Sequence, residues 1–157
     1  MDTTSEQTLA RLVRDTRIAA LGTIHEGVPN LAMVSVAVES DFSAFYIYVS
    51  KLGKHTTDME KDPHVSLLLN EADDRRADPQ TLARVSIRGN AEILPRNAPD
   101  YPHVKEIYLK RFPESERLFS LGDFNLWRIR PTGGRFVAGF ASAFNLVPEV
   151  LVKVSAF

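Results

Sequence analysis

Hydrophobic positions along this chain follow two periods in succession. Leu9, Leu12 and Val13 fall at i, i+3 and i+4, so they predict one face of a first helix, with Thr4 or Ser5 as its cap. From Ile18 the pattern shortens. An apolar run over Ile18 to Thr23, a turn at His25-Glu26-Gly27 before Pro29, and a second run from Asn30 to Val38 predict a hairpin. A polar turn over Glu39 to Ser43 leads to a third strand, Ala44 to Val49, rich in aromatic and β-branched residues. After the loop Ser50 to Thr56 a short helix is expected over Thr57 to Asp62, and Pro63 ends it because the residue before proline avoids the helical region.

His64 to Leu69 reads as a fourth strand, and Glu71 to Gln80 as an exposed charged excursion. Ala83 to Arg88 alternates in period two and runs through Gly89, a bulge candidate, to Ile93. A helical region opening at Asn97 or Asp100 places Val104, Ile107, Tyr108 and Phe112 on one side and Lys105, Glu106, Lys110 and Arg111 on the other. Pro113 stops it, Glu114 to Leu121 reads as a further helix, and Gly122 as its C-cap. Asn125 to Arg130 returns to period two, Pro131-Thr132-Gly133-Gly134 reads as a turn, and Arg135 to Ala138 as a last strand. The sum is a mainly β chain with α (α+β): an antiparallel six- or seven-stranded split β-barrel with flanking helices, in one domain over residues 1–157.

Composition narrows what such a barrel can do. With 44% apolar and 25% charged residues the chain can build a core. Nineteen basic against twenty acidic side chains leave a formal net charge of -1, which gives no sustained attraction to nucleic acid or to an anionic membrane surface. The chain has no cysteine, so disulfides, thiolate metal sites and a cysteine nucleophile drop out. No apolar run approaches the ~20 residues needed to span a bilayer, and the polar start Met1 to Glu6 lacks a signal-peptide pattern, so a soluble, cytoplasmic protein is expected.

The nucleophile elbow, the Walker loop and the dinucleotide glycine fingerprint are all missing from the sequence. The four histidines, at 25, 55, 64 and 103, form no metal-binding pair, so no metal site is expected. One segment stands out. Ser50-Lys51-Leu52-Gly53-Lys54-His55-Thr56 gathers two cations, hydroxyls and a glycine between a strand and a helix, which reads as an anion seat or as a solvated turn. Trp127-Arg128-Ile129-Arg130 mixes aromatic and basic residues, but period two puts the arginines on one face and the apolar residues on the other.

These segments, together with Ala19-Ala20-Leu21-Gly22-Thr23, Gly27-Val28-Pro29, Asp62 to Leu67, Asp78 to Ala91, Arg111-Phe112-Pro113 and Gly122-Asp123-Phe124, resemble the pyridoxamine 5'-phosphate oxidase-like FMN-binding split barrels. Within that family the chain looks most like the heme-utilisation proteins of the HugZ type. Gly139 to Phe144 resembles the family's G-F-G-x-A element, with Ala141 in place of the second glycine.

The resemblance implies a homodimer with FMN lying between two barrels and a small-molecule substrate. It places Ser50, Lys51, Lys54, His55 and Thr56 around the phosphate and ribityl chain, and Met33, Val34, Ser35 and Val36 along the flavin ring. Trp127, Arg130 or Gly139 would close the site from the partner chain. It implies an FMN-dependent oxidoreductase, with heme as a possible substrate or ligand whose propionates Arg128, Arg130 or Arg135 would meet. His103 is then a candidate iron ligand, or else a surface histidine at a helix start. Alternatives are a non-catalytic flavin- or heme-storage protein and a pyridoxamine 5'-phosphate oxidase. Against the last, Leu52 replaces a second basic residue of that loop, and the oxidases' Arg and Lys on the preceding strands have no counterpart in Asn30 to Val38. The chain ends soon after Phe144, so the extra C-terminal domain of many heme-utilisation relatives, with any axial ligand located there, is expected to be missing.

Overall fold

The structure is a computed structural model that describes residues 1–140 and 142–157. Its centre is one antiparallel sheet of eight strands that curls into a split barrel, with helices against its ends and one outer face. Strands β1 (Ile18–His25) and β2 (Val28–Ser35) form a hairpin whose two turn residues, Glu26 and Gly27, take φ of 50° and 80°. Positive φ at both positions gives the turn whose twist matches paired strands. β3 (Ala37–Val38), β4 (Phe45–Ser50), β5 (His64–Asn70), β6 (Arg84–Ile93), β7 (Phe124–Gly139) and β8 (Ser142–Leu146) complete the sheet.

The strand order is β2-β1-β5-β6-β7-β4-β3, with β8 paired to β7. β2 and β3 are therefore the two ends of the order, yet they are consecutive in the chain, joined at Val36. A sheet whose ends are covalent neighbours must curl. Along one edge of β7 runs β6, and the other edge is shared, with β4 taking Phe124 to Ile129 and β8 taking Gly134 to Gly139.

Inward side chains fill the barrel. β5 alternates, with Val65, Leu67 and Leu69 buried while His64, Ser66, Leu68 and Asn70 face out or sit half-buried, as period two requires. Leu21, Ile47, Val85, Ile87, Ile129 and Phe136 meet them in the core. Helix α1 (Thr3–Asp15) and helix α4 (Pro148–Val154) add Leu9, Val13, Leu151 and Val154 to the same core, and Lys153 Nζ reaches Glu6 Oε1 at 2.6 Å. A second apolar cluster lies on the outer side of β4. There Tyr46 and Tyr48 meet Val104, Tyr108 and Phe112 of helix α3 (Tyr101–Arg111) and its end, and Tyr48 stacks on Phe119 at 4.0 Å between centroids. β4 is thus apolar on both faces because both are covered.

Five expectations change. The first helix is capped by Asp2, whose carboxylate accepts the Ser5 amide at 2.8 Å, rather than by Thr4 or Ser5. The run Asn30 to Val38 is two strands, because at Val36 the chain leaves β1 for β4, its amide donating to Arg17 O. Pro131-Thr132-Gly133-Gly134 is not a turn but a bulge inside β7. Pairing jumps from Arg88↔Gly133 to Gly89↔Pro131, leaving Thr132 unpaired, and a bulge is where a strand tolerates proline's missing donor. Glu114 to Leu121 is a 3-10 helix over Pro113–Ser120. β8 and α4 lie beyond the last element expected. The bulge predicted at Gly89 is present, and no described helix is long and apolar enough to cross a membrane.

Candidate functional site

β4 is buried from Phe45 to Val49 and emerges at Ser50, where the next residues must satisfy their own backbone. The Leu52 amide donates to Ser50 Oγ at 3.1 Å and the Gly53 amide to Ser50 O at 3.1 Å. Thr56 Oγ1 closes the loop by donating to the same carbonyl at 2.7 Å. Lys51 is fixed from the turn that precedes β7, its amide on Asp123 O at 2.6 Å and its Nζ on Gly122 O at 3.1 Å. Gly53 packs closely under the His55 ring, where a Cβ would sit 2.8 Å from it unless the ring turned aside.

Helix α2 runs from Lys54 to Lys61, three residues earlier than expected, so Lys54, His55 and Thr56 form its first turn. Its N-cap, Gly53, supplies no side-chain bond, and the Lys54 and His55 amides have no acceptor among the described residues. Neither Lys51 nor Lys54 has a carboxylate partner among those residues. His55 Nε2 is buried and unpartnered. Burial lowers its pKa, partly opposed by the charge of Asp58, which favours the neutral ring. Two cations, two open amides, a hydroxyl and a buried unpaired nitrogen make a seat for an anionic group, so the residues present fit an FMN phosphate or a ligand carboxylate.

A group the sequence reading missed holds this seat in place. The Asp58 side chain is fully buried and accepts from Thr23 Oγ1 at 2.8 Å, His25 Nδ1 at 2.6 Å and Asn30 Nδ2 at 3.1 Å. Burial alone raises its pKa, and the bonds from His25, Thr23 and Asn30 more than cancel that, so the carboxyl stays below its ordinary range. One side chain therefore bolts α2 to the β1–β2 hairpin. Nothing local in Lys54–Lys61, where Asp58 stands between Thr57 and Met59 in a mostly polar segment, signals this role.

The predicted ring wall is placed by period two. Met33 is 76% exposed, Ser35 is exposed, and Val34 and Val36 are buried in the core, so only alternate side chains can face a ligand. β2 is an end strand, and it lies against β4 without ladder bonds to it, which leaves backbone groups of Met33 to Ser35 open along the split. The same stretch borders an apolar shelf of about 310 Å³ formed with Ile18, Ala20, Leu31 and Leu68. Leu31 is 74% exposed.

The remaining candidates are dispersed. Trp127 is 2% exposed inside the barrel, paired with Ile47 and Ile93, and cannot reach across to another chain while the core is intact. Arg130 is exposed and bonds Glu92, and Gly139 ends β7 opposite Ser142. Arg128 is consumed by Asp100 and Glu92, and Arg135 bonds Asn145. His103 Nε2 sits 3.1 Å from Glu39 Oε2 on the surface, the arrangement of a helix-start histidine. Ala141 lies outside the described residues.

Residues 5–138 match the pyridoxamine 5'-phosphate oxidase family. The chain belongs to that family. It is 33% identical over 120 residues to the chloroplastic heme oxygenase HOZ of Arabidopsis thaliana, covering 76% of this chain and 35% of that one, so it spans about a third of that relative's length. It is 25% identical over 128 residues to the heme oxygenase HutZ of Vibrio cholerae, covering 81% of this chain and 72% of HutZ. The structure of HutZ, described as a heme storage protein, superposes with a TM-score of 0.71 at 21% identity, covering 78% of this chain and 87% of that one. A heme binding protein from Mycobacterium smegmatis has the same fold, with a TM-score of 0.85 at 20% identity over 98% of this chain and 62% of that one.

Proposed function

We propose that this family member serves heme utilisation, binding a planar ring with anionic arms between two copies of the barrel, as a heme-degrading or heme-storing protein. The observation that carries the reading is the Ser50–Thr56 seat beside the open β2–β4 split, where Lys51 and Lys54 have no carboxylate partner among the described residues. Its chemistry suits propionates, and the shelf of Ile18, Leu31, Met33 and Leu68 supplies an apolar floor that a second copy would cover. The two relatives named heme oxygenase support the choice of ring.

FMN is the second reading, favoured by the open Lys54 and His55 amides, which suit a phosphate at a helix start. Lys51, Lys54, His55 and Thr56 would then hold the phosphate, and open backbone groups of β2 would meet the ring's polar edge. Bound there, FMN would supply electron transfer for an oxidoreductase. Pyridoxamine 5'-phosphate oxidation has least support, since Leu52 is 88% exposed at the position of the oxidases' basic residue.

Titrating the purified protein separately with hemin, followed by its Soret band, and with FMN, followed by flavin fluorescence, distinguishes the readings. Lys51→Ala/Lys54→Ala is expected to weaken the ligand that binds by roughly 2–4 kcal/mol, through two lost charge-assisted bonds. Sedimentation should show two copies per particle. Unchanged affinity for both ligands in the double variant removes the seat from the mechanism, and binding of FMN without hemin moves the protein to the second reading.

A further inference from the structure

A second recess, separate from the seat, lies on the outer face of the sheet where β1, β5 and β6 run side by side. It has a volume of about 370 Å³. Its shape follows from one row across four strands. Gly22 pairs with Ser66, Ser66 with Arg88, and Arg88 with Gly133. Three of the four are small, so the row is a trough with one long side chain in it.

Arg88 has no carboxylate partner among the described residues. That isolates it from its neighbours on β7 and β6, where Arg128 and Arg130 both use Glu92. Its guanidinium lies along Gly133, where a Cβ would come within 3.3 Å of Nη2. The β7 bulge brings Thr132 to the rim. Ile24 and Pro29 make the apolar wall. His64 stands at one end with Nδ1 held by Asp62 at 2.6 Å, so its ring is fixed in place.

We propose that this recess binds the carboxylate of an amphipathic organic acid, the carboxylate taken by the Arg88 guanidinium and the Ser66 hydroxyl and the apolar body lying on Ile24 and Pro29. A guanidinium without a counter-charge beside an apolar wall selects for an anion attached to hydrocarbon, since neither an inorganic ion nor a neutral hydrocarbon satisfies both halves. The site does not depend on which ring occupies the Ser50–Thr56 seat.

The test is an amide-resolved NMR titration with naphthalene-2-carboxylate as probe. Saturable shifts are expected at Gly22, Ser66, Gly89 and Thr132. Arg88→Met, which keeps the length and removes the charge, should weaken binding at least about tenfold, the loss of one charge-assisted pair. Arg88→Lys should recover part of it. In the unmodified protein the neutral 2-naphthalenemethanol should produce no comparable shifts. The proposal is overturned if the shifts centre on Leu31 and Met33, if the alcohol binds as well as the acid, if Arg88→Met binds normally, or if no saturable shift occurs. Because the acid and alcohol comparison uses the unmodified protein, it holds even if a variant folds poorly. The Lys51→Ala/Lys54→Ala variant should bind the probe normally, so failure here is separable from failure of the heme reading.

Discussion

Gly134→Ala is expected to cost roughly 3 kcal/mol of stability, the upper range for forcing extra volume into a packed interior. The added methyl would lie 2.3 Å from the Ser86 carbonyl oxygen and 3.3 Å from the Ile87 Cα. Both are backbone, so no rotamer change relieves the clash. β7 at this point is gripped on both edges, Gly134 pairing with Ile87 on β6 and with Leu146 on β8. Making room means lengthening ladder bonds on one side or the other. Gly122→Ala is the matched control, because a Cβ there meets nothing within 4 Å, and its effect should stay within about 0.5 kcal/mol. Urea unfolding followed by the fluorescence of Trp127, the chain's single tryptophan and a core residue, reads both variants. Equal midpoints for the two glycine variants would show that β6 and β7 are not packed as described.

That glycine also shows where sequence reading stops. Proline followed by two glycines is a turn signal, and nothing local distinguishes a turn from a bulge in a long strand, because the difference lies in which strands stand on either side. The regular strands were legible for the opposite reason. Val65, Leu67 and Leu69 or Val85 and Ile87 alternate because one face is buried, and burial writes period two into the sequence. The Ser50–Thr56 seat was legible too, since charge, hydroxyls and glycine sit within seven consecutive residues. Met33 to Val36 was legible only as a segment. Which of its side chains face outward required knowing that Val34 points into the core. β8 and α4 went unread because Ser142 to Leu146 is short and its apolar residues pair with Val137 and Phe136 rather than with one another. The Asp58 group was invisible for a stronger reason: its donors come from residues 23, 25 and 30, more than two dozen positions away.

Asp58→Ala should therefore be the most damaging change to a polar side chain. It leaves the buried Thr23 hydroxyl, the His25 Nδ1–H and the Asn30 amide without their acceptor, and unmade bonds at buried donors cost more than made ones contribute. A fall in the melting temperature on the order of 5–10 °C is expected for a chain of this length. Asp58→Asn tests the charge separately. Since the folded carboxyl titrates below its ordinary value, its contribution is complete above the unfolded pKa of about 3.9 and is lost as the pH falls through the lower folded value. The wild-type protein should thus lose stability below about pH 4 more steeply than Asp58→Asn, whose stability at neutral pH is already reduced. Parallel acid limbs for the two proteins would mean that the carboxylate is not held by these three donors. The function should follow the bolt. With α2 loosened from the hairpin, Lys54 and His55 no longer face the seat in one geometry, so hemin or FMN affinity falls together with the melting temperature. Lys51→Ala/Lys54→Ala, by contrast, removes exposed side chains and should lower affinity while leaving the melting temperature within a degree or two of wild type. Only a seat positioned by Asp58 and charged by its lysines gives that pair of results.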